Sequence, residues 1–127
     1  MKKAGIVFAA LLLVAVITGT ATAAEKVYYQ PPFGGPVYKP KRIVFHDTTL
    51  KDLRWRHWNS RRARGRGRAR INTCEPICAT GKIVRGPVRL RMFGRHREGD
   101  RLFYRCMVGT ARAGGRKYRI SWPYDCG

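Results

Sequence analysis

Over much of the C-terminal part of the chain, apolar and charged residues alternate one by one. Val88, Leu90 and Met92 interleave with Arg89 and Arg91. Leu102, Tyr104, Cys106 and Val108 lie on the parity opposite Arg101 and Arg105. Tyr118, Ile120 and Trp122 interleave with Lys117 and Arg119. Residues two apart share a face of a β-strand, so each segment predicts a strand with one apolar face and one cationic face. Gly81, Gly86-Pro87, Gly99-Asp100 and Gly114-Gly115 fall where turns are needed, the last as a hairpin signal. The expected fold is all-β: a small antiparallel sandwich or open barrel of about five to seven strands.

Leu50 to Trp58 reads two ways. Leu53, Trp55 and His57 alternate as a strand, whereas Leu50, Leu53 and His57 also share a helical face. The strand reading is preferred. It lets Leu53–Trp58 pair with Ala63–Ile71 around Asn59-Ser60. Upstream, Pro31, Pro32, Pro36 and Pro40 with Gly34 and Gly35 exclude helix and interrupt a sheet ladder. Residues 24–41 are therefore expected to be an extended leader whose rings, Tyr28, Tyr29, Phe33 and Tyr38, pack on a domain spanning 42–127.

The first residues follow a different grammar. Lys2 and Lys3 precede an uncharged apolar run from Ala4 to Ile17, and Ala21-Thr22-Ala23 supplies small residues at a cleavage site. Residues 1–23 read as a secretory signal peptide, with an uncleaved membrane anchor as the rival. The expected localisation is secreted or extracytoplasmic. Cys74, Cys78, Cys106 and Cys126 make an even count in a short exported chain, which reads as two disulfides. Three connectivities exist. Cys74–Cys78 with Cys106–Cys126 is preferred, because the first pair closes a tight turn and the second ties the last residues to an inner strand. Neither pair has the two-residue spacing of a zinc knuckle, so no metal and no cofactor are assigned.

The net charge of +20 points to anionic partners. Its densest part is residues 54–70, where nearly half the positions are Arg. Arg62, Arg64, Arg66, Arg68 and Arg70 alternate with Ala63, Gly65, Gly67 and Ala69. As a strand this sets a row of guanidinium forks about 7 Å apart, comparable to the phosphate repeat of an extended nucleic-acid strand. The regularity favours that strand over a solvated arginine-glycine loop. The expected polyanion-binding residues are Arg54, Arg56, Arg62, Arg64, Arg66, Arg68 and Arg70, with Trp55 and Trp58 as aromatic contacts. Ligands of that chemistry include nucleic acid, heparin-like or cell-envelope glycans, and an anionic membrane surface.

Two other readings compete. One is an envelope structural or protein-interaction module using the Trp55/Trp58 region. The other is a small secreted hydrolase or toxin, for which His46, His57 and His96 with Glu98 are on offer. No nucleophile elbow, phosphate-cradling glycine loop or metal-ligand spacing accompanies them, and no catalytic residue is assigned.

The order Trp55-x-x-Trp58, Ala63-x-Gly65-x-Gly67, Asn72-x-Cys74-x-Pro76-x-Cys78-Ala79-x-Gly81 and Pro87-Val88-x-Leu90 resembles a set of small exported proteins of actinobacteria and their phages. The resemblance covers roughly residues 50–105. It implies export, a β domain and the Cys74–Cys78 pair, and it brings no activity with it. Cys106 and Cys126 fall outside the pattern.

Overall fold

The computed structural model describes residues 25–126 together with residues 14, 15 and 19. Apart from those three positions, segment 1–23, expected to be a signal peptide, lies outside the described residues. Seven strands form a single curled sheet, an open half-barrel and not two packed layers. They are β1 (Val27–Tyr29), β2 (Ile43–Val44), β3 (Thr48–Arg56), β4 (Ala63–Asn72), β5 (Ile83–Glu98), β6 (Arg101–Ala113) and β7 (Arg116–Trp122). The order across the sheet is β1-β6-β5-β4-β3-β2, and β7 pairs the same edge of β6 further along. Every pairing is antiparallel except β1 with β6, where Val27 lies beside Leu102 and Tyr29 beside Tyr104.

Turn chemistry explains the hairpins. Gly114 and Gly115 both have positive φ, 56° and 74°, so two residues suffice to reverse the chain between Ala113 and Arg116. A two-residue turn of that kind matches the right-handed twist of the flanking strands. The β3–β4 connection is longer. His57 and Asn59 adopt φ of 57° and 78°, and β4 begins only at Ala63. Arg62 therefore lies in the loop and not in the row of β4, where the alternation alone had put it.

The inner face of the sheet buries Leu50, Leu53, Ala63, Ala69, Ile71, Val88, Leu90, Met92 and Ile120 in one core. Leu50 and Leu53 are three apart yet both buried, because β3 bulges between Lys51 and Arg54, with Asp52 at φ 54°. A bulge inserts one residue and restores the face. The helical spacing in that segment is thus a bulged strand.

The extended leader is not separate from the sheet. Val27 and Tyr29 are buried, and Asn59 accepts a hydrogen bond from the Val27 amide through its side-chain oxygen, 2.9 Å. In β6 the expected alternation needs correction. Tyr104 and Cys106 are buried as expected, but so are Phe103 and Met107 on the other parity. Val108, expected inward, lies on the outer face opposite Arg91. The chain offers two apolar sets here, one on each parity, and period two does not choose between them. Met107, Gly109 and Ala111 take the positions opposite Met92, Leu90 and Val88 on the inner face.

Both disulfides have the preferred connectivity. Cys74–Cys78 closes the loop after β4, and Cys106–Cys126 ties the last described residues to β6. Among the described residues no cysteine is free.

Candidate polyanion interface

Strand register decides which arginines meet. Arg54 of β3 lies opposite Arg66 of β4, which lies opposite Arg89 of β5; one step along, Arg56, Arg64 and Arg91 line up in the same way. These six residues are exposed and form a block two positions deep across three adjacent strands. Neighbours sit roughly 4.8 Å apart across the sheet and about 7 Å apart along it. Beside the block, Arg70 pairs with Arg85, and Arg68 with Lys51.

Past β5 the face changes. Here β6 presents Val108 and Thr110, opposite Arg91 and Arg89, and both are short side chains. Beyond them β7 raises Arg119, opposite Thr110, and Lys117. Two cationic walls thus flank a low strip, making a trough of about 1100 Å³. Gly65, Leu90, Gly109, Phe93, His57 and Cys126 also line it, and the Arg91 guanidinium lies 5.6 Å from the centre of the Phe93 ring.

The electrostatics are one-sided. Among the described residues no carboxylate side chain lines the trough. Among the described residues the ion pairs with carboxylates are Arg97–Glu25, Arg116–Glu75 and His96–Glu98, and none involves the six-arginine block. Like charges directly opposed across strands destabilise a sheet by a few tenths of a kcal/mol to about 1 kcal/mol per pair. The block therefore concentrates repulsion where an interspersed acid would have relieved it.

Trp55 and Trp58 stand elsewhere. Trp55 is half-buried over Gly65 on the inner face, where its ring would meet a Cβ at 2.7 Å, and it donates from Nε1 to the Pro40 carbonyl, 2.7 Å. Trp58 is buried against Tyr104 with ring centres 5.1 Å apart and donates to the Val27 carbonyl, 2.7 Å. Both indole N–H groups are thus engaged inside the protein, and neither ring joins the arginine face.

The structure brings together Arg54, Arg56, Arg64 and Arg66, and leaves Arg68 and Arg70 on the same face beside the trough. Sequence reasoning missed Arg89, Arg91, Lys117 and Arg119 as members of the site. Each had been assigned to an outward face, but only the register shows that it is the same face. Among the histidines, His57 lines the trough, and His96 sits 3.1 Å from Glu98 near the β5–β6 turn. Searches for a matching family model, for a similar curated protein and for a similar solved structure found none.

Proposed function

We propose that this chain is a secreted, disulfide-stabilised β domain that binds anionic polymers, nucleic acid or acidic envelope glycans, through its arginine face. One observation carries the reading. Six arginines from three strands are held in directly opposed pairs beside a trough that, among the described residues, no carboxylate side chain lines. A protein gains no stability from that arrangement, whereas a polyanion supplies the missing counter-charges and releases its own bound cations on binding. Guanidinium forks match phosphate and carboxylate groups in two-point contacts. The two disulfides suit an oxidising compartment, which agrees with the export reading.

The test is the salt dependence of binding to single-stranded DNA and to heparin. Exchanging Arg64 and Arg66 for Gln should flatten the log–log slope on single-stranded DNA by about 1.4, at about 0.7 per lost phosphate contact. The charge-matched control exchanges Arg105 and Arg116, which are exposed and lie outside the trough. It should change the slope much less. Equal losses in the two variants would mean that net charge alone drives binding, and the trough would not be a site.

A further inference from the structure

A second cavity, of about 620 Å³, adjoins the trough and shares Phe93 with it. Its lining brings together Arg61 and Arg62 from the β3–β4 loop and Arg95 from β5, with Gly94 and Leu102 between them. Arg62 precedes Arg64 by two residues, so at most about 7 Å of chain separates this cluster from the arginine block. Arg95 donates to the Asn59 carbonyl at 3.2 Å, which holds its guanidinium against the same loop. The cavity also contains one acid, Glu25. Both carboxylate oxygens of Glu25 accept from Arg97, each at 2.8 Å, in a two-point fork.

We propose that the polyanion path continues past Phe93 into this second subsite, where Arg61, Arg62 and Arg95 take a further anionic group and Glu25 is a built-in competitor for it. The inference rests on the polyanion reading of the trough and extends it. The ligand it fits is an extended phosphodiester strand. Cationic groups about 5 to 7 Å apart suit a chain with a charge on every repeat. Among the described residues the path's rings are His57 and Phe93, the latter with the Arg91 guanidinium lying against it, too few to stack successive bases, so the ligand is held by its backbone. Glu25 already shows how an anion is received here. It is a two-oxygen acid on an arginine fork beside unneutralised guanidinium groups. A strand that reached the subsite would take over Arg97 as well as Arg61 and Arg62.

Oligothymidylates of about two and about sixteen nucleotides separate the subsites, because the lone phosphodiester of the shorter one is held by the six-arginine block and only the longer one reaches Arg61 and Arg62 as well. Arg61→Gln with Arg62→Gln should flatten the salt slope by about 1.4 on the long oligomer and leave the short one unchanged. Glu25→Gln frees Arg97 and should steepen the slope on the long oligomer by about 0.7, again without effect on the short one. Circular dichroism and the thermal midpoint establish that each variant is folded, as expected for exposed positions. If the Arg61/Arg62 variant changes both oligomers equally, or neither, while Arg64→Gln with Arg66→Gln still weakens binding, the trough is a site and the second subsite is overturned. If the trough variant also has no effect, the polyanion reading itself fails. If a carboxylated glycan oligomer shows the length-dependent response and oligothymidylate does not, the phosphodiester assignment is overturned.

Discussion

On β4, Ala63, Gly65, Ala69 and Ile71 turn towards the core, while Arg64, Arg66, Arg68 and Arg70 from the same ten residues turn to solvent. The inner positions are fixed by what stands over them. A Cβ at Gly65 would lie 2.7 Å from the Trp55 ring, and one at Gly67 would lie 2.6 Å from the Lys51 carbonyl oxygen and 2.7 Å from a Leu53 methyl. The outer positions have no such neighbour, and their opposite numbers across both strand boundaries are largely more cations. Residue choice on the inner face follows from close packing, which penalises a change of even one methylene. On the outer face it works against stability. That contrast is why the arginines ask for an explanation outside the fold, and the small inward residues do not.

The sharpest way to break the comparison is to exchange neighbours on β4. Gly65→Ala should destabilise by about 3 kcal/mol. Trp55 is braced by its hydrogen bond to the Pro40 carbonyl and must move to admit the methyl group. Urea unfolding followed by tryptophan fluorescence measures it. A cost under about 0.5 kcal/mol, the range of an ordinary surface change, would mean that the inner face is no more constrained than the outer.

A smaller effect tests whether everything on the inner side is optimised. Tyr29 is buried, and its hydroxyl has no hydrogen-bond partner among the described residues. Tyr29→Phe should therefore stabilise by about 1 kcal/mol, by removing an unsatisfied polar group. Burial also holds the Tyr29 phenol well above the usual tyrosine range. The folded state then keeps this proton more tightly than the unfolded chain does. The stability it contributes is complete below about pH 10, the ordinary tyrosine value, and is lost as pH rises towards the folded pKa. Tyr29→Phe should reduce that alkaline loss without abolishing it, because desolvation raises Tyr104 in the same direction. An unchanged alkaline limb would place the titration elsewhere.

How far the chain announced this arrangement differs between the faces. Period-two alternation located the strands containing Val88, Leu90 and Met92 and Tyr118, Ile120 and Trp122, because each alternation has a single apolar parity. It did not resolve β6, where Phe103 and Met107 compete with Tyr104 and Cys106 for the same role. Nor did it find the parallel pairing of β1 with β6, which joins residues more than seventy positions apart. Local pattern contains no term for such a contact. The row from Arg64 to Arg70 was legible on its own strand. Its enlargement by Arg89 and Arg91 was not, since register is set by turns and bulges that shift strands by single residues. Arg62 was misplaced for a related reason. The positive φ values at His57 and Asn59 end the turn one residue later than the alternation suggests. Trp55 and Trp58 were candidate contacts because arginines surround them in sequence, yet the small residues Ala63, Gly65, Gly67 and Ala69 already imply room for bulky rings on the reverse face. The structure bears out that second reading, with the Trp55 ring seated over Gly65.

The smallest effect bears most directly on the outer face. Arg66 lies between Arg54 and Arg89, so it takes part in two like-charge oppositions at once. Arg66→Gln removes both while keeping a long polar side chain, and should stabilise the free protein by about 0.5 kcal/mol at low salt. The gain should disappear near 1 M salt, where the screening length of about 3 Å is shorter than the distance between neighbouring strands. Urea midpoints at the two salt concentrations measure it. Arg64→Gln should respond in the same sense, because Arg64 lies between Arg56 and Arg91. The ligand reverses the ranking. With a saturating polyanion present, the wild-type protein should be the more stable one, because binding adds to the folded state in proportion to affinity. If Arg66→Gln destabilises the free protein at low salt, the arginine stems contribute packing that outweighs their repulsion. The outer face would then be explained by the fold, as the inner face is, and the contrast between them would no longer point to a ligand.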